Sequence, residues 1–167
     1  MLRRLLLAAL LLSSIAASGC GKHLTLESPA IVGAWRSTVQ FTSGPFAEVK
    51  DLEFMYVFNA GGTLMESSNY DAMPPVPPAY GTWRPVGMDE YELRYEYFAT
   101  KPPADVATIP TGGGWMPNGR GVLTERIKLS ADRQSFTSKL SFQMLDATGK
   151  PVEGGGEAEG KGVRMGQ

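Results

Sequence analysis

The sequence predicts an all-β fold, an eight-stranded up-and-down antiparallel barrel, and three observations carry that prediction. Apolar and polar residues alternate with a period of two in five separate runs, the signature of strands with one wet face. No stretch shows a convincing helical period. The links between runs also fall into two classes by length, alternating along the chain.

In chain order, Trp35, Ser37, Val39 and Phe41 alternate with Arg36, Thr38 and Gln40. Leu52, Phe54, Tyr56 and Phe58 alternate with Glu53, Met55 and Val57. Weaker runs follow at Gly62–Tyr70 and Tyr80–Val86. Tyr91, Leu93, Tyr95 and Tyr97 then alternate with Glu92, Arg94 and Glu96. Leu123, Ile127 and Leu129 share one face against Thr124, Arg126 and Lys128. Phe136, Leu140, Phe142 and Met144 do so against Thr137, Lys139 and Gln143. A last, weaker run spans Glu157–Met165. In a meander, successive links lie at opposite ends. The short ones are Asn59–Gly62, Val86–Asp89 and Ala131–Gln134. The bulkier ones are Thr42–Phe46, Asp71–Ala79, Thr100–Arg120 and Thr148–Pro151. The expectation is a closed barrel without free edges, tight at one end and looped at the other.

Residues 1–19 stand outside this pattern. Arg3 and Arg4 precede an apolar core, Leu5 to Leu12, too short to span a bilayer, and small residues lead to Ala17-Ser18-Gly19-Cys20. This is the composition of a bacterial secretory signal. Its end resembles the lipobox of bacterial lipoproteins, except that Ala17 stands where leucine is usual. The resemblance implies cleavage before Cys20 and a diacylated thioether on it, with two chains enough for stable anchoring. An ordinary signal peptide with an incidental cysteine is the alternative. Residues 20–29 then form a lipidated tether, and residues 30–167 one barrel domain.

Composition excludes several functions. The net charge is −1, and losing Arg3 and Arg4 makes it more negative, so nothing attracts nucleic acid. The chain has one cysteine and one histidine. With Cys20 lipidated and His23 in the tether, disulfides, thiolate metal sites and histidine triads are not expected. The glycine runs 112–114 and 154–156 lack the Lys-Ser/Thr that a phosphate loop requires. No cofactor is expected.

The Gly33-Ala34-Trp35 opening of the first run resembles the lipocalin signature. In that family the tryptophan plugs the closed end, and an arginine from the end of the last segment packs across its indole. Arg164 closes the last run here, and the up-and-down order brings it to the end where Trp35 lies. The segments "GAWRSTVQF", "FNAGGTLMESSN", "YGTWRP" and "SFTSKLSF" are similar to a bacterial lipocalin-like, calycin-type family of secreted proteins. A different β-sandwich or barrel with a core tryptophan remains the alternative.

Eight strands leave an interior either filled or able to hold one small ligand. The inward positions are rich in aromatic residues: Trp35, Phe54, Tyr56, Phe58, Trp83, Tyr91, Tyr95, Tyr97, Phe136 and Phe142. Most of these serve packing, but a buried tyrosine hydroxyl needs a partner. Alternation also turns Glu125 inward, and less firmly Glu66, and a buried carboxylate is a candidate functional group. A bulge turning Glu125 outward, or an ion pair with Arg126 or Arg94, is the structural alternative. The Thr100–Arg120 link carries Ile109, Trp115 and Met116 among prolines and glycines, the composition of a lid, a binding loop or an unstructured segment. Its apolar tip suits a ligand, a membrane or a partner alike. The expected ligand-binding set is Tyr56, Glu66, Trp83, Tyr95, Tyr97, Trp115, Glu125 and Phe142, with a small apolar ligand and, through the lipid anchor, a membrane as partners. The expected location is the bacterial envelope, at the outer membrane facing the periplasm, since Gly21 resembles the non-retained class of lipoproteins. Two alternatives stand beside the binding module: a cofactor-free isomerase or cyclase using Glu125 with Tyr95 or Tyr97, and an envelope interaction protein with a filled barrel.

Overall fold

A computed structural model describes residues 28–70, 77–105, 107 and 115–166. The signal segment, Cys20, His23, most of the tether, and parts of two links, Ile109 and the 112–114 glycine run among them, lie outside the described residues.

Eight strands follow one another: β1 (Gly33–Phe41), β2 (Leu52–Phe58), β3 (Thr63–Ser68), β4 (Ala79–Gly87), β5 (Glu90–Lys101), β6 (Met116–Leu129), β7 (Ser135–Leu145) and β8 (Pro151–Arg164). Each pairs antiparallel with the next, and β8 returns to β1 to close the barrel. Burial follows the alternation: along β2, Leu52, Phe54, Tyr56 and Phe58 are buried while Met55 and Val57 are exposed. Inward-facing apolar side chains from all eight strands make one core.

Two strands run longer than the hydrophobic pattern indicates. β6 starts at Met116 rather than near Leu123, and β5 and β6 stay paired out to Lys101 and Met116, past a bulge between Phe98 and Thr100. The expected Thr100–Arg120 link therefore shrinks to residues 102–115. β8 starts at Pro151 rather than Glu157 and runs through Gly154, Gly155 and Gly156. Glycine and proline mask both extensions, because neither supplies the apolar side chain whose alternation marks a strand.

Glycine on β8 serves packing. A Cβ on Gly162 would lie 2.2 Å from Phe136 Cε1, and one on Gly160 would lie 2.4 Å from Ser138 Oγ. The thin inner face of β8 thus admits the large side chains of β7.

The closed end is built around Trp35, which is 0% exposed. Its Nε1 donates to Ile31 O at 2.7 Å, its ring meets Phe136 at 5.4 Å, and Arg164 Cζ stands 4.2 Å from the ring centroid. The Arg164 guanidinium donates to Val32 O at 2.9 Å and to Ala30 O. It thereby holds the turn that enters β1 beneath the barrel. Gly33 sits at φ +128°, and a Cβ there would come within 2.9 Å of Arg164 Nη1. Both the backbone conformation and the room for the guanidinium require glycine.

Candidate functional site

The interior is layered along the barrel axis. Trp83 belongs to the lowest layer: its Nε1 donates to Asn59 O and Thr63 O, both at 3.1 Å, and its ring packs edge-on against Tyr91 at 5.6 Å. It stands with Trp35 and Phe58 at the closed end, away from the open mouth.

Above this floor lies a polar layer. Glu125 is 1% exposed, and its Oε2 accepts from Tyr56 OH at 3.0 Å and Tyr95 OH at 2.9 Å. The carboxyl faces inward because β6 keeps its alternation there. Arg126 and Arg94, the alternative partners, pair with Glu90 at 3.2 Å and Glu96 at 2.9 Å on the outer surface. Burial raises the Glu125 pKa; nearby Ser138, Tyr95 and Tyr56 pull it back down. No well-formed hydrogen bond joins Ser138 Oγ to Glu125, however, and both that hydroxyl and Glu125 Oε1 lack a partner among the described residues. Tyr56 and Tyr95 are pushed well above the usual phenol range, first by burial and then by the Glu125 charge. Both therefore keep their protons and act as donors.

The third layer is a cavity of about 370 Å³ at the looped end. Its walls come from Phe41, Leu52, Phe54, Leu123, Phe142 and Met144 on the strands, with Phe46, Tyr70, Pro77, Pro102 and Trp115 from the links. Tyr97 and Phe142 stack across one wall, centroids 6.3 Å apart and planes 8° from parallel. Gly121 makes that possible, since a Cβ on it would fall 2.2 Å from Tyr97 Cε1. Phe46 reaches in from the β1–β2 link and meets Phe41 and Phe142 at 5.3 Å each and Tyr70 at 5.6 Å.

One acidic group lines this apolar space. Glu66, opposite Tyr56 in the β2–β3 ladder, is 6% exposed, and its Oε1 is buried without a hydrogen-bond partner among the described residues. Burial, and after it the Glu125 charge, lifts its pKa to about 8. Tyr97 is raised to about 12, chiefly by burial and next by Glu66. Among the described residues, no group of three or more histidine, cysteine or acidic side chains is placed to hold a metal.

Of the residues singled out in the sequence, Glu66, Tyr97, Trp115 and Phe142 meet at the cavity. Tyr56, Tyr95 and Glu125 meet one another beneath it, and Trp83 stands at the far end. Phe46, Phe41, Tyr70 and Met144 also line the cavity and were not in the expected set. Phe41 and Met144 carried a signal, being inward positions at the ends of runs that reach the looped end. The chain matches no protein-family model, and no curated protein matches it in sequence.

Proposed function

We propose that this chain is a lipocalin-like envelope lipoprotein whose barrel binds a small apolar molecule. The observation that carries the reading is the cavity at the looped end, walled by aromatic and aliphatic side chains and holding one carboxyl. Its volume lies at the lower end of the range of small-molecule sites, about 300–1,000 Å³. An apolar pocket with few polar groups is the usual form of a small-molecule site.

Two further features support binding over the two alternatives. The hydrogen-bonded pair with acid–base potential, Tyr95 and Glu125, lies below the cavity lining, out of contact with a molecule held there. The space at the mouth also sets this barrel apart from one whose interior serves packing alone. The anchor reading rests on the signal-like segment and Cys20. The chain enters β1 at the closed end, so a tether to Cys20 turns the mouth away from the membrane surface.

Binding of the neutral apolar fluorophore N-phenyl-1-naphthylamine tests the reading. Ser68 is a small wall residue at the mouth end of β3, and Ser68→Trp fills the space. One saturable site in the parent, weakened at least tenfold in Ser68→Trp, is the expected result. No saturable uptake, or equal uptake by both proteins, would contradict it.

A further inference from the structure

Among the described residues, Glu66 has acids and phenols around it and no cation beside it in the cavity. The β2–β3 ladder sets it opposite Tyr56, and the β3–β4 ladder sets it opposite Ala79. The titratable groups coupled to it or near it are Glu125 on β6, Tyr56 on β2, Tyr95 and Tyr97 on β5, and Tyr70 at the cavity rim. No lysine, arginine or histidine lines the cavity among the described residues. Among the described residues the buried carboxyls are Glu66, which lines the cavity, and Glu125 beneath it.

A buried carboxyl without a partner is costly in either protonation state. A cation entering the cavity would offset the charge of the Glu66 carboxylate, while an anion would meet its repulsion. The walls favour the same charge, because aromatic faces are negative and attract organic cations. Phe54, Tyr97 and Phe142 supply such rings to the cavity that Glu66 lines.

We propose that the cavity takes a small organic cation, an ammonium group on an apolar or aromatic body, with its charge at Glu66 and its body against Phe54, Tyr97 and Phe142. This rests on the binding reading above and narrows the class of ligand. It also brings a pH dependence of known sign. Glu66, raised to about 8 chiefly by burial, is mostly protonated at neutral pH and must lose that proton when the cation binds. Apparent affinity for the cation then climbs with pH and levels off above the pKa of Glu66. Below that pKa the change approaches about tenfold per pH unit.

The test compares two ligands of nearly equal shape on the folded protein: phenyltrimethylammonium, whose charge is permanent, and tert-butylbenzene, its neutral isostere. Titration calorimetry at pH 6 and pH 9 should show the cation binding at pH 9 at least as tightly as the isostere, despite its stronger hydration. At pH 6 its affinity should fall at least tenfold, while that of the isostere stays level. Glu66→Gln, checked for folding by near-ultraviolet circular dichroism, should weaken the cation at pH 9 by tenfold or more and the isostere by less than threefold. If the variant fails to fold, the pH comparison on the parent decides. A cation that binds more weakly than the isostere at pH 9, or equally at both pH values, overturns the inference and leaves the apolar cavity reading standing. An undiminished cation affinity in folded Glu66→Gln overturns it as well. Binding of neither ligand overturns both readings.

Discussion

Glu66 links the stability of the barrel to the chemistry of its cavity. Its pKa, about 8 when folded against an ordinary value of 4.5, means that the native state holds this proton more tightly than the unfolded chain does. Stability from this group is therefore fully present below about pH 4.5 and is lost as pH rises through about 8. A shift of this size corresponds to a few kcal/mol, on the order of 3–5, and Glu125, shifted in the same direction, adds to it. Glu66→Gln, which cannot ionise, should unfold at a similar urea concentration to the parent at pH 5 and at a clearly higher one at pH 8. A variant equally destabilised at both values would contradict the assignment of a buried, uncompensated acid. That Glu66 and Glu125 face inward was legible in the sequence, because alternation on a strand decides the face. Their partners were not. Alternation gives no height along the axis, so Trp83 and Tyr97, both inward, read alike although they stand at opposite ends.

At the scale of elements, the barrel closes where β1 meets β8, and Trp35 faces Arg164 in that ladder. Truncating Trp35 to alanine should cost about 3–5 kcal/mol, as large-to-small core changes do, and Arg164→Ala clearly less. Because the guanidinium covers the indole and also holds Val32 and Ala30, the two losses should not add. Denaturant unfolding of the two single variants and the double variant should give a coupling of about 0.5–2 kcal/mol, whereas strict additivity would contradict the contact. This closure was legible from Gly33, Trp35 and Arg164 together with the order of the runs. The early halves of β6 and β8 were not, since Pro117, Gly119 and Gly121, like Gly154 to Gly156, present no apolar alternation. Phe46 escaped for a related reason: it lies in a link, where no period assigns a side chain to the interior.

For the whole molecule, the chain enters β1 at the closed end, opposite the mouth, and under the proposed reading the anchor belongs at that closed pole. If Cys20 carries the lipid, Cys20→Ser should abolish labelling by a radioactive fatty acid and release the protein from membranes; labelling that persists would contradict the anchor. The central claim, that the looped end is the working end, is tested most directly by the three tryptophans of the chain. Trp115 lines the cavity, while Trp35 and Trp83 are buried in the closed end. Each gives one indole N–H signal in a nitrogen-15 correlation spectrum, assignable by single Trp→Phe replacements. On titration with N-phenyl-1-naphthylamine, the Trp115 signal should shift progressively and saturate while those of Trp35 and Trp83 stay in place. Shifts at Trp35 or Trp83 with Trp115 unmoved, or no shift at any of the three, would contradict the account.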